Sequence, residues 1–404
     1  MSRRVSYLRS TRNEEEAALT CAAWAPRPAS DRDGPSSLLV FARGSGKDGN
    51  NSDVLNGLHV AEYDFDKDNL SDTITAVNTE DGIPLRIAVH PKGDGVLCSF
   101  SNSFKLFDIQ TVGSARLKAS DSQLSPLQGI GMQNCITFDR DGLLLATGGK
   151  DGHVRVFQWP SLVLILDEPK AFKSIQDLDI SLDSAYLAAT SEDKGCRVWE
   201  ITTVKVVADL IPGKEEKFSY CRFSRDGKLP FLFVSSTESK KGGAVGVWDL
   251  SDWSKVGYKK LSAFPISSLA VTRDGKYIGI GNSKGDVLVV NVKSMAVYRR
   301  FGSAHVAPVT ALEFSKQRRA LLSVGAESTA HVNVIEKWEW KDWQLYSIVL
   351  ILILFSALLF WLFFESTMSD DFWQFPMGRS QPAHPPPEAI WGNPNWENAA
   401  GKEL

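Results

Sequence analysis

The stretch GSGKDGNNSDVLNG, residues 44–57, gathers Gly44, Gly46, Gly49, Asn50, Asn51 and Asn56 between two apolar runs, SSLLVF and GLHVAEY. Glycine backbone and asparagine side chains together offer many carbonyls and amides on a pliable chain. Such a loop can present an asparagine to a partner's nucleotide site, or wrap a monovalent cation such as potassium between Gly44 and Gly57. A plain polar insertion without fixed structure has the same composition. A phosphate-cradling P-loop is excluded, because no Ser or Thr follows Lys47 and no helical pattern opens after it. An EF-hand fails too: the bidentate acid that should end such a loop is missing.

Elsewhere the residues of bond chemistry are scattered. Neither G-x-x-x-x-G-K-[ST] nor H-E-x-x-H occurs, and the six histidines fall in different parts of the chain. Cys21, Cys98, Cys135, Cys196 and Cys221 form no C-x-x-C pair. Their odd number and wide spacing point to reduced, buried thiols rather than to disulfides or zinc. The net charge of −3 leaves no footprint for nucleic acid. These residues call for no cofactor, and they point away from a bond-making enzyme.

What must position the loop is a repeat. PLRIAVHPKGDGVLCSFSNSFKLFDI (from Pro84), QNCITFDRDGLLLATGGKDGHVRVFQW (from Gln133) and IQDLDISLDSAYLAATSEDKGCRVWEI (from Ile175) share one plan. An alternating strand leads into a turn, a nearly continuous apolar run, a second turn and a third strand. Three further copies begin at Ser219, Ile266 and Pro308. Ile87, Ile136, Leu178, Cys221, Leu269 and Leu312 recur at roughly forty to fifty residues, the length of a propeller blade. Asp141-Gly142, Asp226-Gly227 and Asp274-Gly275 mark first turns, where Asp-Gly closes tight hairpins. Cys21 to Phe65 reads as a seventh copy, with the quoted loop inserted between its second and third strands. The last copy lacks an outer strand. RRVSYLR at the N-terminus can supply it; a three-stranded last blade is the alternative.

The endings VRVFQW, CRVWEI and VGVWDL resemble the tryptophan–aspartate signature of WD-repeat propellers, and HVAPVTALEF, from His305, resembles that family's lead-in loop. There a histidine orders the turn by hydrogen bonding, which is the role expected of His305. The predicted fold is therefore all-β, a seven-bladed WD-repeat β-propeller followed by one C-terminal transmembrane helix.

That helix is WQLYSIVLILILFSALLFWLFF, residues 343–364. About twenty apolar residues suffice to cross the hydrocarbon core. Trp343, Tyr346 and Trp361 fall near the ends, where aromatic rings settle among lipid headgroups. Lys337 and Lys341 precede the span, and Glu365, Asp370 and Asp371 follow it. With no signal-peptide pattern at the N-terminus, this charge order predicts a single-pass type II protein. Residues 1–336 form the cytosolic propeller, 337–342 a juxtamembrane linker, 343–364 the span, and 365–404 a short proline-rich lumenal tail without fixed structure. The terminal GKEL shares a lysine and an acid–leucine ending with K-D-E-L but not its register.

Taken whole, the chain resembles the Sec-twelve family, which includes prolactin regulatory element-binding protein. LDEPKAFKSIQDLDISLDSAYLAATS (166–191), CRFSRDGKLPFLF (221–233) and DDFWQFPMG (370–378) resemble its plant branch. The resemblance implies an endoplasmic-reticulum membrane protein and, in exchange-active members, GDP-to-GTP exchange on the Sar GTPase that starts COPII coat assembly. Those members carry a loop near G-G-G-G-E-G followed by G-I-P-N, and its asparagine pries out nucleotide. Asn56 takes that position here. Arg43 and Ser45 interrupt the glycine run, Lys47-Asp48 replaces its acidic step, and Val54-Leu55 replaces Ile-Pro. Losing the proline and much of the glycine changes the loop's shape. A divergent plant member, the phosphate transporter traffic facilitator, has this pattern. It implies an interaction protein that helps phosphate transporters leave the endoplasmic reticulum without exchange activity. The alternative is an exchange factor for the Sar GTPase.

Overall fold

A computed structural model describes residues 6–8, 18–26, 36–44, 56–71, 75–79, 82–93, 95–110, 116–169, 171–191, 193, 195–238, 242–316, 319–335 and 342–367. The chain divides into two units, Met1–Glu336 and Lys337–Leu404.

The first unit is built from seven antiparallel sheets. β1 (Ser6–Leu8) opens the chain. Blade 1 holds β2 (Ala18–Ala25), β3 (Ser36–Gly44) and β4 (Gly57–Asp64), with β5 (Asn69–Leu70) and β6 (Thr75–Asn78) both pairing with β4. Blade 2 follows as β7 (Arg86–Val89), β8 (Val96–Ser99), β9 (Phe104–Gln110) and β10 (Arg116–Ala119). Blade 3 is β11 (Gln133–Phe138), β12 (Leu144–Gly149), β13 (Val154–Gln158) and β14 (Val163–Glu168). Blade 4 is β15 (Asp177–Ile180), β16 (Tyr186–Ser191), β17 (Gly195–Glu200) and β18 (Lys205–Leu210). Blade 5 is β19 (Glu216–Phe223), β20 (Phe231–Glu238), β21 (Gly242–Asp249) and β22 (Lys255–Ser262). Blade 6 is β23 (Ile266–Val271), β24 (Tyr277–Asn282), β25 (Val287–Asn291) and β26 (Val297–Phe301). Blade 7 has β27 (Val309–Phe314), β28 (Ala320–Gly325) and β29 (Ala330–Val334).

Its fourth strand is β1, which lies with Ser6 opposite Val332 and Leu8 opposite Ala330. The N-terminal strand thus completes the last blade, so the two ends of the propeller sequence share one sheet. The three-stranded alternative is excluded.

The core explains why no blade stands alone. Seven apolar clusters are present, and each is shared by two neighbouring blades. The one between blades 3 and 4, for example, joins Val154, Val156 and Leu166 to Ile175, Leu178 and the fully buried Trp199. A four-stranded sheet of this kind is apolar on both faces, and only a ring of such sheets covers them all.

Polar pegs add register near the axis. Arg86 Nε donates to Asn134 O (2.6 Å), Asn134 Nδ2 to Ile175 O (2.7 Å), and Thr190 Oγ1 to Ser219 O (2.7 Å). Asp177 accepts from Arg222 and Asp179 from Arg225, so blades 4 and 5 are joined by two ion pairs. Asp-Gly turns behave as their chemistry demands: Gly142, Gly227 and Gly275 have φ of 71, 68 and 65°, where a Cβ is costly.

In each blade the first strand ends on one face of the ring and the second strand on the other, as antiparallel pairing requires. We call these the A–B face and the B–C face.

The second unit contributes α1 (Asp342–Thr367). Within it Tyr346–Phe363 is long and apolar enough to cross a membrane, and none of that window is buried by protein. The helix starts one residue before the expected span and runs beyond it to Thr367. Backbone hydrogen bonding carries it past the apolar stretch, and Asp342 sits where a helix favours negative charge. Tyr346 and Trp361 are 70% and 56% exposed. Trp343 lies in the helix; its side chain, and the tail beyond Thr367, fall outside the described residues.

Candidate functional site

The glycine- and asparagine-rich loop leaves blade 1 on the B–C face. Its two stems are the end of β3 and the start of β4, which pair up to Arg43 opposite Gly57. Gly46, Gly49, Asn50 and Asn51 lie outside the described residues; Gly44, Asn56 and Gly57 do not.

The stems are seated on the segment that leads from blade 1 to blade 2. A Cβ on Gly44 would meet Ile83 Cγ2 at 2.2 Å, and one on Gly57 would meet Val77 O at 2.7 Å. Only glycine lets the two strands approach so closely. The Asn56 carbonyl accepts from Thr79 N–H at 2.9 Å. Thr79 then turns the chain back: its Oγ1 donates to Gly82 O (2.9 Å), and Gly82 N–H donates to Thr79 O (3.2 Å). Thr20 Oγ1, on β2, donates to Pro84 O at 2.7 Å. A strap from Thr79 to Pro84 therefore fixes the root from which the loop projects. Thr20, Thr79 and Ile83 carry no sequence signal of this role, because each is ordinary in its own strand or turn.

The residues that would wrap potassium between Gly44 and Gly57 lie, apart from the stems, outside the described residues. Among the described residues no group of three or more His, Cys, Asp or Glu could hold a metal ion.

The equivalent turn of blade 7 is closed instead. His305 is 2% exposed. Its Nδ1 lies 2.9 Å from Glu327 Oε1 and 2.9 Å from Thr329 Oγ1, and its Nε2 lies 2.9 Å from Ser323 Oγ. Glu327 also accepts from the N–H groups of Val306 (3.1 Å) and Ala307 (3.2 Å). Burial lowers the His305 pKa despite the neighbouring Glu327. His331, edge-on to His305 at 4.7 Å, is pushed down to about 4, first by burial and then by His305. The expected turn-ordering role of His305 is the one the structure shows.

Between these two blades lies the ring's seam. Glu313, on β27, accepts from Trp24 N–H at 2.9 Å, and Trp24 Nε1 donates to Glu313 O at 3.1 Å. Burial raises the Glu313 carboxyl to about 7; Lys316, the Trp24 N–H and Arg222 oppose the rise. All five cysteines are buried and free, and burial raises the thiols of Cys21, Cys135 and Cys221. A cavity of about 340 Å³ between blades 2 and 3 on the A–B face is lined by His90, Lys92, Asp108, Leu143 and Trp159 among others. His90 there is a structural peg, with Nε2 3.0 Å from Gly142 O. No nucleophile and base meet in it.

The fold defines a class: a seven-bladed WD-repeat propeller followed in the chain by one helix able to cross a membrane. Residues 127–158 and 163–200, in blades 3 and 4, match the WD domain, G-beta repeat. The chain is 37% identical to SEC12-like protein 1 of Arabidopsis thaliana over 91% of its length and 92% of that protein. It is 32% identical to SEC12-like protein 2 of the same plant over 71% of its length and 74% of that protein. The rat guanine nucleotide-exchange factor SEC12 is 26% identical over 50% of this chain and 55% of its own. The chain belongs to the Sec12 family, in its plant SEC12-like branch.

Proposed function

We propose that this protein is an interaction factor of the endoplasmic-reticulum membrane that promotes the exit of phosphate transporters, with the blade 1 loop as its contact element and without exchange on the Sar GTPase. It is anchored type II by the helix over 343–364, and the propeller faces the cytosol. The lysines before the span and the acids after it support that orientation.

The observation that carries this reading is the root of the loop. Gly44 and Gly57 are locked against Ile83 and Val77, so the root is rigid, while a buried arginine stands beside it. The part that projects lacks both the unbroken glycine run and the Ile-Pro step that the exchange-active loop carries. A rigid socket bearing an altered loop suits contact better than nucleotide expulsion.

One observation favours exchange on the Sar GTPase instead. Asn56 stands at the end of the loop with its backbone pinned by Thr79, so an asparagine is presented from a fixed stem. The likeness to the rat exchange factor points the same way.

Nucleotide release from purified Sar GTPase, measured with the full-length chain in detergent, separates the two. No acceleration is expected. In cells lacking the protein, phosphate transporters should stay in the endoplasmic reticulum. Wild type and Asn56→Ala should both restore export, and a loop-trimmed chain should not. Strong acceleration that Asn56→Ala abolishes would replace the first reading with the second.

A further inference from the structure

The end of the propeller sequence has a definite place on the ring. β29 runs toward the A–B face, and Ile335 N–H donates to Arg319 O (2.7 Å) in the turn between β27 and β28. Arg299, on the outer strand of blade 6, reaches the same point with Nη1 3.4 Å from Val334 O. The chain therefore leaves the propeller among arginines, on the face opposite the blade 1 loop.

The charge on that face is lopsided. Among the described residues around the exit, the turns of blades 6 and 7 carry Arg273, Lys276, Lys293, Lys316 and Arg319 against one acid, Asp274. Arg273, Lys276 and Lys293 are exposed. Asp274 is shared by Arg319 (2.8 Å) and Lys276 (3.8 Å), so it cannot neutralise the group. Across the ring, the first turns of blades 3 and 4 carry Asp139, Asp141 and Asp183 against Arg140 alone.

The exit is also tethered. Six residues, 336–341, separate Ile335 from the first residue of α1, and so short a chain spans at most about 25 Å when fully extended. Its sequence, EKWEWK, followed by Asp342 and Trp343, is rich in tryptophan. Tryptophan is a residue type that favours the membrane–water interface.

We infer that the A–B edge of blades 6 and 7, centred on Arg273, Lys276 and Lys293, is a docking surface for anionic lipid headgroups. The inference rests on the reading that α1 spans a membrane. It adds a charge-dependent contact between the propeller's basic edge and acidic lipid. Each lysine or arginine near such a surface strengthens its hold about fivefold, over a range set by the Debye length.

The test uses the full-length chain in nanodiscs of phosphatidylcholine, alone or with about one third phosphatidylserine. Amine labelling read by mass spectrometry reports Lys276 and Lys293 on the basic edge. Lys284 is the reference, since it is exposed in the B–C turn of the same blade. Labelling of Lys276 and Lys293 should slow about fivefold or more in the anionic discs only, with Lys284 unchanged. High salt should abolish the slowing. Arg273→Glu should weaken it, while an unaltered Lys284 rate shows that blade 6 is still folded. Equal rates in the two kinds of disc would overturn the inference while leaving the span intact. A chain that does not enter discs of either kind would overturn both.

Discussion

Blades 1 and 7 are neighbours, and their B–C turns occupy equivalent places, yet they are built in opposite ways. In blade 7 the turn is short and shut: His305 reaches Ser323, Glu327 and Thr329, and Glu327 gathers two further N–H groups. In blade 1 the described stems rest on close glycine contacts with Ile83 and Val77 and on the Thr79 N–H bond to Asn56 O. Where a polar lock closes the turn, the blade serves the ring. Where a strap replaces the lock, the turn can serve a partner.

The largest expected effect comes from opening the lock. His305→Ala removes a buried ring and its hydrogen bonds to Ser323, Thr329 and Glu327, each worth about 0.5–1.5 kcal/mol, and leaves a cavity besides. The thermal midpoint should fall by roughly five degrees, given about 1–2 degrees per kcal/mol for a unit of this size. Transporter export at permissive temperature should survive. A collapse of export with unchanged melting would mean that blade 7, too, serves a partner.

Next comes the seam between the two blades. Glu313 has its pKa raised from 4.5 to about 7, so the folded state binds more protons than the unfolded one between those values. Its contribution to stability is full below pH 4.5 and is lost as the pH rises to about 7, a change on the order of 3 kcal/mol. His331, lowered to about 4, works the other way and loses stability as the pH falls below 6.5. The two slopes oppose each other in the wild type. Glu313→Gln should leave only the histidine slope, so that denaturant stability climbs from pH 4.5 to 6.5. A flat profile in that variant would break the assignment.

A smaller effect, about 1–3 kcal/mol, is expected for Gly44→Ala, whose new methyl group must displace Ile83. Adding Ile83→Ala should recover part of the loss, and a double-mutant cycle measures the coupling. Additive losses would mean that the strap is not the loop's support. The smallest effect on stability belongs to the loop itself. Replacing residues 46–55 by an Asn-Gly turn should leave the melting temperature nearly unchanged, because loop length costs little entropy. The same variant should fail to restore export, which is the clearest expression of the contrast between the two blades.

The blades, the Asp-Gly turns and the insertion in blade 1 were all legible from residue order. Alternation, apolar runs and turn residues act between near neighbours, so their record is local. Ile136 and Leu178 fell on inner strands because the period of the repeat carries them there. The site was legible only in outline. Asn56 and Gly44 could be singled out by type, but Thr79, Ile83 and Thr20 could not, since their importance lies in what another segment brings against them.

By itself the sequence determined that this chain makes repeated four-stranded sheets, breaks one of them with a polar loop, and ends in a helix apolar enough for lipid. Those are consequences of backbone geometry and side-chain polarity over a few residues. Only the tertiary structure decided that β1 completes blade 7 and that Trp24 meets Glu313 from 289 positions away. Closing a ring sets those relations, and closure depends on how every sheet packs against the next, which no local pattern records.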